Sequence, residues 1–263
     1  MSDVSPQYLA VGAGSDSRKI AYLTDVGQSP GVLWLSGFKS DMISMKASAL
    51  AEWCCSQGLS FTRFDYSGHG RSGGRFEDGT VSRWLEEAVA IMETVTTGRQ
   101  VVVGSSMGGY IALLMLRQLL STGESAANRI HSLVLIAPAW DMTEALMWDQ
   151  FPDPVKRTIM DQGYWLRPSQ YGEAYLITRN LIEDGRCHLL GPTPWNPGRS
   201  VHIIHGQQDS DVPFAHGERL RDLLLGEHAV LTAVPDGEHR LSRPQDLQRI
   251  FKTIGQYAYT ATD

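Results

Sequence analysis

The chain has 263 residues, a net charge of -6 and 42% hydrophobic residues, ordinary values for a globular protein that exclude disordered, collagen-like and long coiled-coil chains. No long basic run is present, which argues against a nucleic-acid partner, and no apolar stretch reaches the roughly 18 residues of a membrane span. Met1–Pro6 lacks the charged and apolar regions of a signal peptide and the arginines of a transit peptide. The three cysteines, Cys54, Cys55 and Cys187, are odd in number and have no metal-ligand spacing, so packing thiols in a reducing, cytoplasmic setting are expected.

In chain order, the first predicted strand, Lys19–Val26, alternates apolar and polar residues and suits an antiparallel edge. Gly31–Ser36, Ser60–Asp65, Gln100–Gly104, Ser132–Ala137, Val201–Gly206 and Ala229–Val234 follow. Most are continuous apolar runs such as Val101-Val102-Val103, the pattern of strands covered on both faces of a parallel sheet. Helical patterns fall between them at Ser44–Gln57, Thr80–Thr94, Gly108–Leu120, Phe214–Leu225 and Gln245–Tyr257. Alternating strands and helices predict an α/β fold with a mostly parallel, doubly wound sheet. The alternation stops between Asp141 and Arg199, a span rich in Trp and Tyr and too long for a bare connection. The expected organisation is a core of residues 1–140 and 199–263 with a small, mostly helical cap insertion at 141–198.

Two segments match Gly-x-Ser-x-Gly: Gly70-Arg71-Ser72-Gly73-Gly74 and Gly104-Ser105-Ser106-Met107-Gly108. A nucleophile elbow needs a strand directly before and a helix directly after, which lifts the serine hydroxyl above the sheet edge. Only Ser106 has both. Ser72 lies in a glycine-rich loop and is read as loop structure.

A serine needs a base to take its proton, and in this fold the base follows an acid in chain order. His239 sits in a turn after the last strand, at the sheet end where functional groups collect. His205 lies inside an apolar run and reads as structural. His69, in another loop at the same end, is expected to line the pocket. Asp209 and Asp211 both follow the penultimate strand. Asp211 precedes Val212-Pro213 and a helix and reads as a cap, so Asp209 is favoured, with Asp141 as an outside candidate. An oxyanion hole needs two backbone N–H groups. Met107 supplies one beside the nucleophile. Phe38 supplies the other, with Gly37 letting the backbone come close to the substrate. Met42, Met107, Met142, Met147 and Trp140 offer an apolar acyl pocket, against the plainer reading that they pack the core and cap.

These segments, together with Leu35–Met42, Arg63–Gly74 and Glu238–Ser242, resemble the α/β-hydrolase superfamily and, within it, the subfamily of α/β-hydrolase domain-containing protein ten. Its mammalian member is a mitochondrial palmitoyl-protein thioesterase that also cleaves acyl glucuronides. The resemblance implies the α/β-hydrolase fold, Ser106, Asp209 and His239 as a catalytic triad, and a small-molecule acyl ester or an acylated protein as substrate. The expected function is hydrolysis of esters or thioesters through an acyl-enzyme, with no metal or organic cofactor. The alternatives are acyl transfer or C–C bond hydrolysis by the same residues, and a binding protein that has kept the scaffold without catalysis.

Overall fold

The structure is a computed structural model that describes residues 5–168, 174–225 and 229–259. Its strands are β1 (Gln7–Val11), β2 (Arg18–Asp25), β3 (Gln28–Leu35), β4 (Leu59–Phe64), β5 (Gln100–Ser105), β6 (Ile130–Ile136), β7 (Tyr164–Arg167), β8 (Tyr175–Thr178), β9 (Ser200–Gly206) and β10 (Ala229–Val234). Its helices are α1 (Met45–Ser56), α2 (Val81–Thr94), α3 (Met107–Thr122), α4 (Ser125–Arg129), α5 (Asp153–Gln162), α6 (Arg179–Gly185), α7 (Phe214–Leu223) and α8 (Pro244–Tyr259). The main sheet runs β1-β2-β4-β3-β5-β6-β9-β10. From β4 to β10 neighbouring strands are parallel, while β1 and β2 are antiparallel to their neighbours.

The apolar strands are buried on both faces, and alternation along each strand decides which side a residue serves. Val102, Leu133, Leu35 and Ile203 belong to the layer that contains Trp84 of α2 and Tyr110 of α3. Val101, Val103, Trp34 and Ile204 belong to the opposite layer, with Leu50 of α1 and Ile250 of α8. A continuous valine run therefore joins two cores, one on each face. Each predicted strand and helix of the core is present, within a few residues at its ends.

Two expectations about the periphery differ from the structure. The alternating strand expected at the edge, now β2, is covered by β1, a short and largely exposed strand whose weak apolar pattern hid it. The region between β6 and β9, expected to be mostly helical, is so but also contains an antiparallel pair of four-residue strands, β7 and β8. It opens with a π-helical turn, Met142–Met147, and then passes through α5, β7, β8 and α6.

Both ends of this region are tied to the core. Asp141 Oδ1 accepts from Leu190 N at 2.8 Å and Oδ2 from Gly191 N at 3.1 Å. From α3, the Tyr110 hydroxyl donates to the His188 carbonyl at 3.0 Å, and Arg117 donates to the carbonyls of His188 and Leu189 at 3.0 Å each. Burial pushes the Asp141 carboxyl up. That group is engaged with the 190–191 backbone, which removes it from the search for an acid partner of His239.

Candidate active site

Ser106 stands at the junction of β5 and α3 with φ 54° and ψ -118°, a left-handed backbone that a non-glycine residue adopts only when its surroundings impose it. The surroundings do so by close packing. A Cβ on Gly108 would lie 2.1 Å from the Leu35 carbonyl oxygen, so α3 can start this close to β3 only because position 108 is glycine. The turn is tied down by Ser106 N donating to the Ile136 carbonyl at 2.8 Å and by Ala139 N donating to the Ser106 carbonyl at 3.1 Å. The hydroxyl is thereby left above the carboxyl ends of the strands, where ligands bind in open α/β sheets.

Three side chains from three loops meet here. His239 Nε2 is 3.1 Å from Ser106 Oγ, and His239 Nδ1 is 2.8 Å from Asp209 Oδ2. Asp209 Oδ1 accepts from the backbone N–H groups of Asp211 at 2.9 Å and Val212 at 2.8 Å. Burial alone would push the Asp209 carboxyl up, but hydrogen bonds from His205 and His239 outweigh it and hold it well below the usual carboxylate range. An ionised acid, an imidazole and a hydroxyl thus form one continuous chain. Asp211, the competing candidate, lies exposed on the rim.

The loop after β3 comes up beside the serine. A Cβ on Gly37 would be 3.4 Å from Ser106 Cβ and 3.3 Å from the Ser105 carbonyl oxygen, so glycine here permits the close approach. Among the described residues, neither Phe38 N–H nor Met107 N–H donates to an acceptor.

The hydroxyl opens into a cavity of about 810 Å³. Gly37, Phe38, Ser106 and His239 form its floor, while Met142, Ala145, Leu146 and Met147 of the π-helical turn form an apolar wall. Tyr175 of β8 packs edge-on against Phe38 at 5.7 Å and closes another side. Lys39, Lys46, Arg167, Arg219 and Arg240 contribute to the lining with Asp211, a positive rim on a chain of net charge -6. Lys46 donates to the Arg240 carbonyl. Burial and the neighbouring Arg240 cation push its ammonium down to about 8.

Three expected pocket residues sit elsewhere. Met42 is fully buried with Ala21 and Leu23 against the sheet, because its N–H is held by Asp65 Oδ1 at 2.7 Å and its side chain turns inward. Trp140 stacks on His216 at 4.7 Å and donates to the His216 carbonyl at 2.9 Å, locking the strand end to α7. His69 lines a separate pocket of about 210 Å³ with Lys39, Asp41 and Phe76. Its Nδ1 lies 3.0 Å from the Ser67 carbonyl and its Nε2 accepts from Lys39 N at 3.1 Å. Burial lowers its pKa, in keeping with the neutral ring that acceptance requires. His69 thus braces the Gly37–Lys39 loop from behind and does not line the cavity.

The sequence profile of the alpha/beta hydrolase family matches residues 32–249. The chain belongs to this family. The human mitochondrial palmitoyl-protein thioesterase ABHD10 is 31% identical over 241 residues, covering 91% of this chain and 76% of that relative. The solved structure of mouse α/β-hydrolase domain-containing protein 10 superposes with a TM-score of 0.83 at 29% identity, over 96% of this chain and 98% of that one. A putative hydrolase from Agrobacterium vitis S4 reaches 0.93 at 40% identity, over 96% and 98% of the two chains. Est1E from Butyrivibrio proteoclasticus, solved with ferulic acid, reaches 0.74 at 18% identity over 95% and 97% and speaks for the fold alone. In this α/β-hydrolase, sequence reasoning missed Tyr175, Lys46, Arg167 and Arg219. Arg167 and Tyr175 come from β7 and β8, whose place depends on how the region between β6 and β9 packs on the core, while Lys46 of α1 and Arg219 of α7 are ordinary helix residues with no local signal.

Proposed function

We propose that the protein is a serine hydrolase that cleaves acyl esters or thioesters through an acyl-enzyme on Ser106. The hydrogen-bonded chain from Asp209 through His239 to Ser106, ending at the floor of the cavity, carries this reading. His239 takes the Ser106 proton through Nε2 as the hydroxyl oxygen attacks the substrate carbonyl, while Asp209 holds the imidazole by Nδ1 and stabilises its cation. The N–H groups of Phe38 and Met107 receive the negative charge on the carbonyl oxygen, helped by the positive end of α3. The protonated imidazole gives its proton to the leaving alkoxide or thiolate. A water deprotonated by His239 then releases the acid.

The apolar wall at 142–147 fits the acyl part of the substrate. The identity with palmitoyl-protein thioesterases over most of the chain favours long-chain thioesters among the possible substrates. Residues 141–198 are assigned the role of a cap that sets this choice. A cytoplasmic location accords with free Cys54, Cys55 and Cys187, and none of the described helices is long and apolar enough to cross a membrane.

A rate panel tests the reading: p-nitrophenyl esters of short to long chain, a palmitoyl-thioester peptide and an acyl glucuronide, each with wild type and Ser106→Ala. The expected result is hydrolysis of the long-chain thioester, lost by a factor of about 10⁴ or more in the variant. Turnover confined to short activated esters would reject the thioester assignment. Activity that survives in Ser106→Ala would reject the nucleophile.

A further inference from the structure

His205 is a buried titratable side chain that the mechanism above does not use. It lies in β9, four residues before Asp209, with no exposed side-chain surface. Its Nε2 is 2.9 Å from the Val212 carbonyl and 3.4 Å from Asp209 Oδ2. Its Nδ1 is buried and has no hydrogen-bond partner. Position 217 of α7 presses on that nitrogen, since a Cβ on Gly217 would stand 2.4 Å from it. The Phe214 ring packs edge-on at 5.7 Å.

These contacts settle the tautomer. A proton on Nδ1 would be buried without an acceptor, whereas a proton on Nε2 meets two oxygens. The Nε2–H therefore points between the Val212 carbonyl and the carboxylate. Asp209 Oδ2 is consequently shared, with His239 Nδ1 on one side at 2.8 Å and His205 on the other. We propose that His205 is a positioning residue for the reaction, its Nε2–H tying the Val212 backbone and Asp209 Oδ2 together so that the carboxylate stays aimed at His239. The proposal rests on the Ser106 reading above.

Among the described residues, the charged or titratable groups near this pair include His216 of α7 with Arg219 beside it, Lys46 of α1 with Arg240 beside it, Asp211, whose N–H is on Asp209 Oδ1, and His239 itself. The side-chain nitrogens that reach Oδ2 are His205 Nε2 at 3.4 Å and, from the other side, His239 Nδ1 at 2.8 Å. Removing the His205 donor therefore leaves more of the carboxylate charge facing His239. That strengthens its hold on the protonated imidazole. At the same time the loop at 209–212 loses a tether, so the attack geometry loosens while substrate contacts on the far wall remain.

The test compares His205→Gln, which keeps an N–H near the place of Nε2, with His205→Phe, which keeps the bulk and removes the donor. Activity is read on a substrate whose turnover wild-type protein performs and Ser106→Ala does not. Failure of that control would overturn the proposed function and is distinguishable from failure of the present inference. His205→Phe should lower kcat by about tenfold or more, the equivalent of losing one hydrogen bond to a charged group, with KM within about twofold. The acidic limb of its kcat/KM profile should move to higher pH. His205→Gln should recover most of both. A limb that stays in place with Gln no better than Phe, or an unchanged kcat in His205→Phe, would overturn the proposal. If the Phe variant does not fold, ¹⁵N-histidine spectra of the wild-type protein decide. Nε2–H on His205 supports the proposal, and Nδ1–H overturns it.

Discussion

Two stretches of this chain carry the same five-residue pattern, and only one of them sets its serine hydroxyl beside a histidine and a buried carboxylate. Ser72, in Gly70–Gly74, spends its hydroxyl on the fold. It donates to the Asp65 carbonyl at 2.6 Å and accepts from Ala21 N at 2.8 Å, pinning the glycine-rich loop to β2. Ser106, in Gly104–Gly108, has its hydroxyl within reach of His239 alone among these partners, on a backbone bent to φ 54°. What separates them is not the glycines but the flanks. A buried strand and a helix start force Ser106 into a strained turn at the sheet end, while loop on both sides lets Ser72 relax into backbone contacts.

The comparison can be pressed by mutation. The largest effect should come from Ser106→Ala, which abolishes turnover as described above, against Ser72→Ala, whose kcat/KM should stay within a few-fold of wild type. Steady-state kinetics on both variants checks this, and a Ser72 variant as inactive as the Ser106 variant would erase the distinction. Asp209→Asn comes next. Loss of the ionised acid should lower kcat by about 10³–10⁴-fold at neutral pH. A loss of less than tenfold would show that the carboxylate does not matter to the base.

Stability should move in opposite directions at the two serines. Ser72→Ala leaves Ala21 N–H and the Asp65 carbonyl short of a partner and should cost about 1–3 kcal/mol. Ser106→Gly relieves the left-handed strain and should raise stability by about 1 kcal/mol. Denaturant titration of each variant reads both signs.

The smallest effect is on acid stability. The Asp209 carboxyl is held below its ordinary range in the folded protein. Its contribution to stability is therefore present above the unfolded carboxylate value of about 3.9 and is lost as pH falls from there toward the folded value. Between about pH 5 and 2, Asp209→Asn should lose stability less steeply than wild type. Parallel curves would show that the carboxylate gains nothing from folding.

The core was legible because its signals are local. Val101-Val102-Val103 followed by Gly104 and then an apolar helix specifies a buried strand, a tight turn and a buried helix from neighbouring residues alone, and it singled out Ser106 over Ser72. The order of Asp209 and His239 after successive strands placed both at one sheet end. His69, Met42 and Trp140 came out differently because a loop residue near the right sheet end can face either side of its loop. Asp65 turns Met42 inward, His216 claims Trp140, and the Lys39 amide claims His69.

Sequence by itself therefore determined the doubly wound sheet, the strand-turn-helix around Ser106 and the placing of the Asp209 and His239 loops at the same sheet end, since each follows from periodicity and turn chemistry within a few residues. Only the tertiary structure decided the walls of the cavity, the pairing of β7 with β8 and the closeness of two histidines to Asp209. Those depend on contacts between segments dozens of residues apart, where side-chain direction is set by whichever partner packing brings within hydrogen-bond reach.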